Sequence, residues 1–109
     1  MFVRLLPGFL IESSAMTNKA HTTVLNRLLA HYQGTATSHN PIDVIAGDLR
    51  IAVETTATLS ENLPQLLDLG GLVYIAVTNQ ESLAEALRPT AGTKLGVMNS
   101  RGDIIKPAE

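Results

Sequence analysis

The stretch Pro41-Ile42-Asp43-Val44-Ile45-Ala46-Gly47-Asp48-Leu49-Arg50-Ile51-Ala52-Val53-Glu54-Thr55 decides how the rest of the chain is read. Both flanks are rich in β-branched residues, and Gly47-Asp48 between them has the composition of a two-residue turn. The stretch therefore predicts a tight β-hairpin. With such a turn Ala46 opposes Leu49, Ile45 opposes Arg50 and Asp43 opposes Ala52. Directly opposed residues point to one side of a sheet. Asp43, Ile45, Arg50, Ala52, Glu54 and Thr56 are thus expected on one face, and Ile42, Val44, Leu49, Ile51, Val53 and Thr55 on the other. The second set is apolar and is expected to be the core side.

Upstream, Val24, Leu25, Leu28, Leu29 and Tyr32 form an apolar stripe at helical spacing, which predicts a helix over residues 17–34. Thr17 or Asn18 suits its cap and Gly34 its stop, with a polar connector over 35–40. Downstream, residues 60–69 read as a short helix with Pro64 in its first turn, ended by Gly70-Gly71. Leu72-Val73-Tyr74-Ile75-Ala76-Val77 is almost wholly apolar, as a strand covered on both faces should be. Thr78 three residues before Glu81 resembles a capping box. The helix it opens turns Leu83, Ala84 and Leu87 inward and stops at Arg88-Pro89. Residues 94–99 and 103–106 complete the pattern as two strands around Ser100-Arg101-Gly102. The order α-β-β-α-β-α-β-β, with a right-handed parallel crossover over residues 72–98, predicts an α/β domain: a mixed sheet with helices on its faces.

Composition agrees with one small domain. The chain has 109 residues, 45% of them hydrophobic and 17% charged, and carries a formal net charge of −2. Such a balance gives no global basic field for non-specific binding to nucleic acid. Without cysteine there is no thiol chemistry and no Cys-ligated metal, as suits a cytoplasmic protein. No apolar run approaches the roughly 20 residues that span a bilayer, so no membrane association is expected. Residues 1–15 imitate a secretory signal, but the apolar run is short and Pro7-Gly8 breaks it. They are read instead as an apolar arm or hairpin preceding a domain over 16–109. Phe2, Val3, Leu5, Leu6, Phe9, Leu10 and Ile11 call for cover, which predicts a homodimer packed through the arm.

The chemistry suggested by the sequence lies in the hairpin. On the expected register Asp43 and Glu54 are diagonal neighbours, roughly 7–8 Å apart at Cα. Two carboxylates at that spacing suit a hard cation such as Mg²⁺, which keeps several waters of its own. A solvated surface pair, with Arg50 beside it, is the plainer reading. His21 and His31 fall off the leucine stripe, whereas His39 lies near enough in sequence to join a site at Asp43. Arg88, Lys94, Arg101 and Lys106 read as a small basic rim or as ordinary solubilising charges. No glycine-rich phosphate loop and no nucleophile elbow occurs.

Pro41-Ile42-Asp43, ten intervening residues, then Glu54-Thr55-Thr56 resembles the motif of the PD-(D/E)XK nuclease superfamily. The helix before the hairpin and the helix–strand–helix–strand order after it are similar to that superfamily's core. The tail from 71 to 109, with "VYIAV" and "GVMNSRGDIIKPA", is similar to MmcB-like DNA-repair members. The resemblance spans about residues 17–108 and implies a restriction-endonuclease-like fold. It implies Asp43 and Glu54 as Mg²⁺ ligands of a phosphodiesterase acting on nucleic acid. The position of the catalytic lysine is held by Thr56, with Lys19 or Lys94 as substitutes. The implied protein is a degenerate or weakly active nuclease-like domain, in which Thr56→Lys returns an ammonium to the face of Glu54. The alternative is a small, non-enzymatic dimeric interaction protein.

Overall fold

The computed structural model describes residues 19–38 and 41–109. The arm over 1–15, the domain start at 16, the caps Thr17 and Asn18, and His39 lie outside the described residues. The elements run α1 (Lys19–Tyr32), β1 (Thr35–Ala36), β2 (Val44–Ala46), β3 (Leu49–Glu54), α2 (Thr56–Asp68), β4 (Leu72–Val77), α3 (Gln80–Thr90), β5 (Gly96–Met98) and β6 (Ile104–Lys106). One six-stranded mixed sheet takes the strands in chain order. Strands β3, β4 and β5 are parallel, while β1, β2 and β6 join antiparallel at the two ends. The α/β class and the parallel β4–β5 connection are as the sequence predicts; the parallel β3–β4 pair is a second such connection.

The hairpin register also follows the sequence: Ala46 pairs with Leu49, Ile45 with Arg50 and Val44 with Ile51. Gly47 opens the turn at φ +61 while Asp48 keeps a negative φ, the backbone of a turn with glycine at its first central position.

Helices cover both faces of the sheet, as expected, so the face of the hairpin opposite its expected core side is covered as well. Crossovers of one hand that step in one direction put their helices on one face. There α2 and α3 cover Ala52, Val73, Ile75, Val77 and Val97 with Leu59, Leu66 and Ala86. On the opposite face α1 lays Val24 and Leu28 over Val44, Ile51, Val53, Tyr74 and Met98. Each layer is apolar and nearly dry, so burial of aliphatic area on two sides drives the fold.

Several boundaries differ from expectation for local reasons. Thr35–Ala36 is a strand within the supposed connector, paired with Ile45 and Val44. Helix α2 starts at Thr56 because Thr55 caps it: the Thr55 hydroxyl accepts from the Thr58 N–H at 3.2 Å, and the Thr58 hydroxyl accepts from the Thr55 N–H at 2.9 Å. Two terminal N–H groups are thereby satisfied reciprocally. Pro64 lies well inside this helix, not in its first turn. In α3 the cap is Asn79, not Thr78, with its side chain accepting from Ser82 N–H at 2.8 Å. Pro89 continues α3 to Thr90, and Ala84 faces solvent while Ser82, Ala86 and Thr90 are buried.

Gly96 sits opposite Tyr74 in the β4–β5 ladder. A Cβ there would enter the Tyr74 ring and come within 2.7 Å of the Ala108 backbone nitrogen. Gly96→Ala is therefore expected to destabilise by about 1–3 kcal/mol through overpacking. Thermal unfolding checks this, and an unchanged midpoint would show that the ring moves aside freely.

Candidate functional site

Asp43 does not lie where alternation puts it. Ile42 packs in the α2–α3 layer and Val44 in the α1 layer, although residues two apart in an unbroken strand share a face. The pleat breaks at Asp43. Its N–H donates to Ile51 O at 2.9 Å, its carbonyl accepts from Thr37 N–H at 2.9 Å, and its Oδ2 accepts from Val53 N–H at 2.8 Å. Strand β2 starts only at Val44, so the β3 edge beside Val53 needs an acceptor. The Asp43 carboxylate supplies it.

Glu54 ends β3 and is buried, with 2% of its surface exposed. By alternation it shares the α2–α3 face with Ala52, and the side-chain amide of Asn62 on α2 donates to both of its oxygens at 3.1 Å. Burial, the larger influence, raises its pKa above the ordinary 4.5, and the charge of Asp43 pushes the same way. Asn62 and Thr58 oppose this by hydrogen bonding the ionised form. Asp43 and Glu54 thus straddle the strand edge instead of sharing an open face, yet lie within electrostatic reach of each other.

His21 joins them from α1, its Nε2 3.7 Å from Asp43 Oδ1. It stands three and seven residues before Val24 and Leu28, so it tops the buried face of the helix. That spacing was the available signal, and reading the leucine stripe alone missed it. Asp43 raises the His21 pKa above 6.5 through its side-chain hydrogen bond, with burial opposing. Asn62 carried no comparable signal, because its role depends on where α2 begins.

Thr56 is the first residue of α2, and its hydroxyl meets Ser82 Oγ on α3 at 2.7 Å. It does not continue the strand's alternation beside Glu54. Lys94 is spent at the other end of the sheet, donating to Leu69 O just before β4 begins, whereas Glu54 pairs with Val77 where β4 ends. Lys106 is likewise held by Thr93 O and Leu95 O. The basic rim expected from Arg88, Lys94, Arg101 and Lys106 therefore does not form. Arg101 instead pairs with Asp103 in the β5–β6 turn, where Arg27 Nη1 donates to Ser100 O at 2.6 Å.

These donors do not fit a hard cation as they are arranged. Mg²⁺ keeps several waters, but Glu54 is dry and bound to Asn62, and one Asp43 oxygen is committed to Val53. Among the described residues no three His, Asp or Glu side chains converge closely enough to hold a metal ion. The arrangement can accept backbone and amide protons and can exchange a proton at His21 and Glu54.

Removing the Asp43 carboxylate leaves the buried Val53 N–H without its acceptor, a loss of about 1–3 kcal/mol. Asp43→Ala should unfold at correspondingly lower denaturant, with Asp43→Asn, which keeps an acceptor oxygen, between it and wild type. A neutral or stabilising Asp43→Ala would return the carboxylate to a merely solvated role.

Stability should also depend on pH in one direction. A raised Glu54 pKa means the folded state holds its proton more tightly, so stability falls as pH rises from about 4.5 through the raised value. The raised His21 pKa adds stability that is complete below 6.5 and lost as pH rises through its folded value. Glu54→Gln should remove the first part of that slope, measured by melting from pH 4 to pH 8.

Comparison with protein-family models, with curated proteins and with solved structures finds no match to this chain.

Proposed function

We propose that this chain is a nuclease-like domain of the PD-(D/E)XK type that binds nucleic acid and has lost cleavage. The observation that carries the reading is the double character of Asp43 and Glu54. Adjoining elements bring them to one end of the sheet, at the positions where the resemblance puts the motif carboxylates. Each is nevertheless given over to holding the fold. A Mg²⁺ ion between two free carboxylates activates water and neutralises phosphoryl oxygens. Here Asp43 caps an open strand edge, Glu54 is tied to α2, and the residue in the lysine place caps no charge and faces Ser82. Thr56 itself brings no ammonium to stabilise charge on a pentavalent phosphorus.

Supercoiled plasmid incubated with Mg²⁺ or Mn²⁺ should remain uncut, while a labelled oligonucleotide binds at low salt. Thr56→Lys should leave cleavage at zero, because position 56 points to α3. Metal-dependent nicking abolished by Asp43→Asn would show an active enzyme, and no oligonucleotide binding would remove nucleic acid as the partner.

A second reading, a non-enzymatic interaction module, is favoured by Ile104 and Ile105, exposed at 46% and 43% on the edge strand β6. The mass in solution separates a dimeric module of that kind from a monomer.

A further inference from the structure

We draw no further inference here: the strongest candidate, the exposed pair Ile104 and Ile105 on edge strand β6, beside the cavity that Ile105 lines with Leu83, carries nothing because nothing in the structure shows what covers it.

Discussion

The hydrogen bond from Val53 N–H to Asp43 Oδ2 is the constraint on which the arrangement depends. Strand β2 is too short to pair the carboxyl end of β3, and an unpaired N–H in a buried strand is expensive. Asp43 replaces the missing strand with a side chain. Its backbone, turned out of the pleat to do this, sends Ile42 into one layer and Val44 into the other. The same carboxylate then meets His21 and so ties α1 to the mouth of the hairpin. Helix position and the charge cluster thus share one cause.

The same geometry explains why Asp43 and Glu54 make a poor cation site. A carboxylate binds a hard metal with lone pairs left free by the protein. Asp43 gives one oxygen to a backbone N–H, and Glu54 lies dry under an amide from α2. Both acids are needed where they stand, and neither is available as a ligand in that state.

Much of the fold was legible because several sequence signals coincide. Gly47-Asp48 with β-branched flanks fixes a two-residue turn, and the turn fixes the register of the residues nearest it. The apolar run over Leu72–Val77 declares a strand covered on both faces. Alternation then fails at Asp43, because no hydrophobic pattern records that a side chain takes the place of a strand. Thr55 is β-branched and reads as the end of the strand, yet its hydroxyl and that of Thr58 make a reciprocal cap and start α2 early. Moving that boundary removes Thr56 from the sheet and brings Asn62 under Glu54. His21 and Arg27 were visible as helix residues, but their partners at Asp43 and Ser100 are set by tertiary contact alone.

Amide hydrogen exchange at Val53, followed by NMR in wild type and in Asp43→Ala, bears most directly on this account. The Val53 N–H should be protected in wild type nearly as well as the central β3–β4 amides. In the variant it should exchange much faster while β4 amides keep their order of protection. A Val53 amide that exchanges freely in wild type, or one whose protection is the same without the carboxylate, would contradict the account.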